Sequence, residues 1–344
     1  MQQFMNTRET LVTEAVDGLI RTSGGRLARL DGYPHIRVVV RADWDGCKVA
    51  LVSGGGSGHE PSHAGLVGQG MLTAAVCGDV FASPSVDAVL AGILAVTGAA
   101  GCLLIVKNYT GDRLNFGLAA ERARALGRKV AMVIVDDDVA LPDLPQARGV
   151  AGTLFVHKIA GAMAEAGADL EAITAAAQAV IRGAVSIGMS LDTCTVPGSP
   201  KEDRIGRGRA ELGLGIHGEA GVEQVDFTGA QLAMGMVAER LLPHVTEADQ
   251  VALLNNLGST TPLEMSVLAE ELARSPLGAR VKWIIGPAAL MTSLDMHGFS
   301  VSLLPATPER IAALAAPVAP AVWPGLAAFG AVAVRPLPDG LAPV

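Results

Sequence analysis

Three short aliphatic runs place the strongest constraint on what this chain can fold into. Residues 49–52 (VALV), 102–106 (CLLIV) and 129–135 (KVAMVIV) each stop abruptly: at SGGGSGH (53–59), at KNYTGD (107–112) and at DDD (136–138). Runs this apolar suit strands covered on both faces. Helical spacing fills the intervals. Residues 8–20 carry Leu11, Val12, Ala15, Val16, Leu19 and Ile20 on one face. A helix is predicted over 84–96, capped by Ser83 with Pro84 at its first position, and another over 115–126. Strands separated by helices predict a parallel sheet with helices on its faces.

An Ala-rich helical pair, broken near Gly167, is predicted over 158–187, and the polar loop 197–209 (PGSPKEDRIGRGR) then changes the texture of the chain. Strands are predicted again at 250–254, 281–285 and 299–304. The expected fold is α/β, with two α/β domains, each with a central largely parallel or mixed sheet flanked by helices. Residues 1–188 form the first and 189–325 the second, with 326–344 a tail or linker.

Half of the 344 residues are hydrophobic and 17% are charged, with a net charge of −8. That is too apolar for a disordered chain and too acidic for a nucleic-acid footprint. Mean hydropathy of +0.40 raises the question of a membrane span. The uncharged run 88–106 is long enough, but TGAAG at 97–101 divides it into a helix and a strand. The run 311–334, broken by Pro317, Pro320 and Pro324, reads as surface connection and tail. No charged n-region followed by an apolar h-region opens the chain, so no secretion signal and a cytoplasmic location are expected. Cys47, Cys77, Cys102 and Cys194 form no CxxC pair and read as reduced structural thiols. His59 and His63 have the spacing of a helical metal pair, but Glu60-Pro61-Ser62 interrupts any helix between them, and no metal site is expected.

Ligands of parallel α/β sheets bind at the carboxyl ends of the strands, which here carry the unusual residues. A dinucleotide fingerprint needs a third glycine where His59 stands, and no Lys-Ser or Lys-Thr follows to make a P-loop. The remaining expectation at 54–59 is a tight turn that offers backbone N–H groups and then an imidazole. Lys107 and Asp112 follow a buried strand, which favours a site; the aspartates at 136–138 read as a solvated loop or a cation site. In LGLGIHGEAG (212–221), four glycines surround His217 and Glu219. Stripping away Cβ atoms suggests that a ligand reaches this ring, which could act as base, ligand or nucleophile.

Taken together, LVSGGGSGHEPSH (51–63), GQGML (68–72), FASP (81–84), IVKNYTGD (105–112), NF (115–116), VDDDV (135–139), GLGIHGE (213–219) and SLDM (293–296) resemble the substrate-binding K subunit, or K domain, of dihydroxyacetone kinases, over roughly residues 5 to 325. The resemblance implies a homodimer of two-domain subunits that phosphorylates dihydroxyacetone. It implies that His217 attacks the ketone and holds it as a covalent hemiaminal, that His59 is the general base and that Asp112 faces the substrate hydroxyl. Gly56, Ser57, Gly58, Ser83 and Lys107 match substrate-binding positions. No cofactor is expected on this chain itself. ATP/Mg, or ADP/Mg recharged by the phosphotransferase system, is expected on a nucleotide-binding L subunit. The alternatives are an erythrulose-type C4 ketose kinase subunit and a non-catalytic ketose sensor that binds a regulatory protein. The segment from about Pro324 onward lies outside the resemblance and resembles an interdomain linker.

A neutral imidazole nitrogen can add to a ketone, whereas a protonated one cannot. Such an adduct would fix a molecule too small to bind tightly through contacts alone, and would reject glycerol, which has no carbonyl.

Overall fold

The computed structural model describes residues 3–32, 34–141 and 147–338. Helix α1 (Leu11–Thr22) precedes the first sheet, built from β1 (Leu27–Arg29), β2 (Val38–Arg41), β3 (Ala50–Ser57), β4 (Ala74–Val80), β5 (Cys102–Lys107) and β6 (Val130–Val135), with α2 (Val86–Val96) before β5 and α3 (Thr110–Ala125) before β6. Its order is β1-β2-β4-β3-β5-β6, with β4, β3, β5 and β6 parallel and the β1–β2 edge antiparallel. Helices α4 (Thr153–Glu165) and α5 (Leu170–Gly183) lead to a second sheet. Its elements are β7 (Val185–Ser190), β8 (Arg209–Leu212), β9 (Glu223–Asp226), α6 (Ala230–Leu241), β10 (Gln250–Asn256), α7 (Pro262–Arg274), β11 (Val281–Ala288), β12 (Gly298–Pro305), α8 (Pro308–Ala315) and β13 (Leu326–Ala328). The order is β13-β11-β10-β12-β7-β8-β9, and only β10–β11 is parallel.

Alternation along the strands stacks these elements into layers. Ala50, Val52, Leu104 and Val106 face α2 and α3, while Leu51, Leu103 and Ile105 face the opposite way, into a core shared with α1, α4 and α5. That core continues to Val251, Leu253 and Leu304 of the second sheet. Ala252, Leu254, Val301 and Leu303 point to the far side, against α6 and α7. A side-chain period of two, with both faces covered, accounts for the unbroken apolar runs. The two sheets share the middle helical layer, and the expected boundary after residue 188 falls within β7.

Several local expectations are corrected. The glycines after Val52 do not begin a turn: Gly54, Gly55, Gly56 and Ser57 prolong β3. Ser85 caps α2, accepting from the Ala88 N–H, and Ser83 does not. Helix α3 starts at Thr110, so Asp112 lies in its first turn rather than in a loop. Residues 185–187, predicted helical, are strand, with the β-branched Val185 and Ile187 on either side of Ser186 and all three paired with β12. The run 311–334, expected as surface connection and tail, begins inside helix α8 at 308–315, and within the expected 326–344 tail Leu326–Ala328 pairs antiparallel with β11. The last residues of that tail, 339–344, lie outside the described residues.

Of the aspartates after β6, Asp136 is exposed as a solvated loop requires, but the other two are not. Asp137 and Asp138 are buried. Asp137 accepts from the Val150 and Gly152 N–H groups at the start of α4 and from Ser186 Oγ on β7. Asp138 accepts from Arg148 Nε and the Ala140 N–H. All four cysteines are free thiols. Among the described residues no helix is long and apolar enough to cross a membrane.

Candidate active site

The carboxyl ends of β3 and β5 bring the first part of the site together. Lys107 closes β5 with its side chain fully buried. Asp112, also buried, enters from the first turn of α3, where the positive end of the helix favours a carboxylate. Both reach Gly55. A Cβ on that glycine would lie 2.7 Å from Lys107 Nζ and 3.4 Å from an oxygen of Asp112, and its φ of +148° disfavours any side chain. Ser83 donates its hydroxyl to Asp112 Oδ1. The glycine run therefore clears space for an amine and a carboxylate.

Gly56 and Gly58 serve a second purpose. A Cβ on Gly56 would meet the backbone of Phe81 and Ala82 at 2.6–2.9 Å, and one on Gly58 would meet the Phe81 ring at 2.7 Å. Phe81, itself at φ +56°, thereby packs near the imidazoles. Ser57 donates its hydroxyl to Gly78 O at 2.9 Å, which ties β3 to β4.

His59 is fully buried just beyond β3. Its Nδ1 lies 2.8 Å from Thr292 O, which fixes the proton on Nδ1, while Nε2 is buried without a partner. Burial, then the neighbouring His217 and Lys107, push its pKa well below the usual value, so this ring is neutral with a free basic nitrogen.

His217 comes from the second sheet's side, in the loop after β8. Its ring centroid is 4.8 Å from that of His59 and 4.3 Å from that of Tyr109, both edge-on. Its backbone N–H donates to Glu219 Oε2 at 2.8 Å, and Nδ1 lies 3.3 Å from Glu219 Oε1. Burial alone would raise the Glu219 pKa. The His217 contacts, together with backbone N–H groups, instead take it down to about 2. A carboxylate on Nδ1 holds the proton there and leaves the Nε2 lone pair available.

The glycines around His217 do not open its ring to a ligand, as the bare pattern suggested; they admit protein. A Cβ on Gly215 would overlap the Glu219 carboxylate at 2.3 Å, one on Gly213 would meet Ala140 and one on Gly218 the Cys194 sulfur. Tyr109 is half-buried with its hydroxyl enclosed, and burial pushes its pKa well above the usual value. Adjoining Gly55, Gly56 and Ser57 is a cavity of about 380 Å³, also lined by Val12, Glu60 and His63. Burial pushes the thiol of Cys77, which lines it too, to about 12 and makes it a poor nucleophile.

His59 and His63 share no helix and engage separate partners: Thr292 O for the first, Lys107 and His157 for the second. Among the described residues no group of three or more His, Cys, Asp or Glu is placed to hold a metal ion. The residues singled out from sequence, His59, Ser83, Lys107, Asp112 and His217, thus come from both halves of the chain around the Gly55–Gly58 strand end. Sequence reasoning missed Gly55, Phe81, Tyr109, His157 and the roles of His63 and Glu219. Tyr109 and Glu219 lie inside motifs already singled out, whereas His157 sits in a helix whose residues 153–161 are all buried, and no local pattern sets it apart.

Two α/β sheets joined through a helical layer bring two imidazoles, a carboxylate and an amine together near the ends of parallel strands, groups able to move a proton. The chain belongs to the Dak1 domain family, which matches residues 18–322. It is 51% identical to a dihydroxyacetone kinase of Citrobacter freundii over 94% of this chain and 59% of that protein. It is 42% identical to the dihydroxyacetone-binding subunit DhaK of a PTS-dependent dihydroxyacetone kinase of Listeria innocua, over 94% of this chain and all of that one. The C. freundii kinase crystal structure superposes with a TM-score of 0.96 at 48% identity, over 99% of this chain and 64% of that one. A solved dihydroxyacetone kinase operon co-activator superposes with a TM-score of 0.85 at 30% identity, over 91% of this chain and 98% of that one. The chain spans under three fifths of the C. freundii kinase and of a putative tomato 3,4-dihydroxy-2-butanone kinase.

Proposed function

We propose that this chain is the substrate-binding catalytic unit of a dihydroxyacetone kinase, which holds the ketose on His217 while one of its hydroxyls is phosphorylated from a donor carried elsewhere. The observation that carries this reading is the imidazole pair: His59 Nε2 buried and unpartnered, its ring 4.8 Å from a His217 ring anchored at Nδ1. Nε2 of His217 attacks carbon 2, and the carbonyl π pair moves to oxygen. The Nδ1 proton leaves by way of Glu219, which remains a carboxylate, and one proton from solvent reaches the new oxygen, so the net proton count is unchanged. In the second step the terminal hydroxyl attacks the donor phosphorus, the bond from phosphorus to the donor's leaving oxygen breaks, and the hydroxyl proton passes to His59 Nε2, with Asp112 orienting the hydroxyl and Lys107 offsetting negative charge. Gly56, Ser57, Gly58 and Ser83 are the further substrate-binding positions on this reading, with Gly56 and Ser57 lining the cavity beside the strand end.

ATP/Mg or ADP/Mg belongs, on this reading, to a nucleotide-binding L subunit or domain, and the working unit is a homodimer in the cytoplasm. The match along the whole Listeria binding subunit supports a separate partner. A C4 ketose such as erythrulose fits the same chemistry. The likeness to a co-activator favours a second reading, a ketose sensor without turnover.

Gentle-ionisation intact mass spectrometry with dihydroxyacetone, without borohydride, tests the adduct. A mass gain is expected in the native chain and none in His217→Ala; no gain in the native chain sinks the reading. Adding an L subunit and ATP then separates kinase from sensor, and the relative turnover of dihydroxyacetone and erythrulose identifies the substrate.

A further inference from the structure

We propose that His63 and His157 form a one-way hydrogen-bond chain that aims the Lys107 ammonium at the space it shares with Asp112, so that His63 is a positioning residue for phosphoryl transfer. The proposal rests on the ketose kinase reading of the site. Lys107 Nζ lies 2.8 Å from His63 Nε2, and His63 Nδ1 lies 3.0 Å from His157 Nε2 on α4. All three side chains are buried.

The direction of the chain follows from what each group can donate. An ammonium has three donors and no acceptor. His63 Nε2 must therefore accept, which places its proton on Nδ1. That proton is donated to His157 Nε2, which in turn places the His157 proton on Nδ1. This last nitrogen is buried and has no partner. A buried unpaired N–H is costly and calls for a reason. Here it is the far end of a tautomer sequence imposed by a lysine that cannot accept.

The consequence for the site is geometric. One ammonium proton is taken up by His63, and Gly54 O, at 3.5 Å, lies toward a second. The remaining donor is left for the opening over Gly55, beside the Asp112 carboxylate. Asp112 from α3, His63 from the turn after β3, His157 from α4 and His59 are the titratable groups around this amine. Burial, before any charge effect, keeps both chain histidines neutral: His63 well below its usual pKa and His157 at about 3. The same burial lowers the Lys107 pKa, while Asp112 opposes that shift. Loss of the His63 acceptor would let the amine deprotonate more easily and swing away from the substrate.

The test has two arms. Nitrogen-15 chemical shifts of the histidine rings in the native chain should report Nδ1–H tautomers for both His63 and His157. An Nε2–H tautomer at His63 overturns the proposal whatever any variant does. His63→Leu, with the L subunit and ATP, should lower kcat roughly ten- to a hundredfold. KM and the His217 adduct mass should stay near native, and the alkaline limb of the kcat profile should move to lower pH. His63→Gln, which restores an acceptor at similar reach, should recover most of the loss. Native kcat and an unmoved limb in His63→Leu overturn the proposal. Absence of the adduct in the native chain instead overturns the underlying ketose reading, so the two failures are distinguishable. If His63→Leu does not fold, the tautomer assignment still decides the matter.

Discussion

At the scale of single residues the site depends on which nitrogen is free. Glu219 holds the Nδ1 side of His217, and Thr292 O holds the Nδ1 side of His59, so the two Nε2 atoms are the reactive ones. Glu219→Gln keeps the size of the side chain but removes the charge. A charge-assisted hydrogen bond of about 2 kcal/mol would be weakened. Adduct formation at His217, read by mass against ketose concentration, should then fall by up to about thirtyfold. Gly55→Ala acts from the opposite wall. Its Cβ would lie 2.7 Å from Lys107 Nζ at a strained φ, so turnover should drop by at least about tenfold while the chain still folds. Retention of native turnover in Gly55→Ala would show that the space over this glycine is not used. Glu219 stood next to His217 in plain view, yet its role could not be read from the string. Gly215 looks like an opening for a ligand until the fold brings the Glu219 carboxylate into that opening.

Among the elements, α2 and α3 separate structural from functional serines. Ser85 caps α2 through the Ala88 N–H, whereas Ser83 donates to Asp112. Ser85→Ala should lower unfolding free energy in urea by about 1 kcal/mol and leave turnover near native. Ser83→Ala should do the reverse, reducing turnover with little change in stability. Equal stability losses in both would return the cap to the position predicted from sequence. That prediction failed because two serines flank Pro84, and local pattern alone does not say which one turns its hydroxyl toward the helix. The strands that were read correctly, 102–106 and 250–254 among them, are those buried on both faces, where an uninterrupted apolar run is the signature. The strands β1, β8, β9 and β13, at or next to the sheet edges, are three or four residues long, and pairing rather than pattern defines them.

For the molecule as a whole, Asp137 ties the layers together. It follows β6 of the first sheet, caps the start of α4 in the shared helical layer and accepts from Ser186 on the second sheet. Burial, opposed by those hydrogen bonds, raises its pKa to about 6 from the ordinary 3.8. The native state therefore holds this proton more tightly than the unfolded chain. The associated stability is fully present below about pH 4 and is lost as pH rises through 6, by up to about 3 kcal/mol. Urea unfolding of the native chain and Asp137→Asn between pH 4.5 and 7 should show the native chain losing more stability with rising pH than the variant. Parallel profiles would contradict the assignment. In sequence, a run of three aspartates suggested solvent, because burial of a carboxylate depends on donors from residues 150, 152 and 186 that no local window contains.

By itself the amino-acid string determined the periodicities, and hence the layered α/β class, the positions of the central strands and the ring and carboxylate residues at their ends. Those features are local, since a period of two or of 3.6 is set by backbone geometry. Only the tertiary structure decided which groups meet: His217 beside His59, Glu219 in the gap left by Gly215, Lys107 against His63 and His157. Charge, tautomer and reactivity are properties of such encounters, and apart from Glu219 and its near neighbour Gly215 the residues that make them lie tens of positions or more apart in the chain.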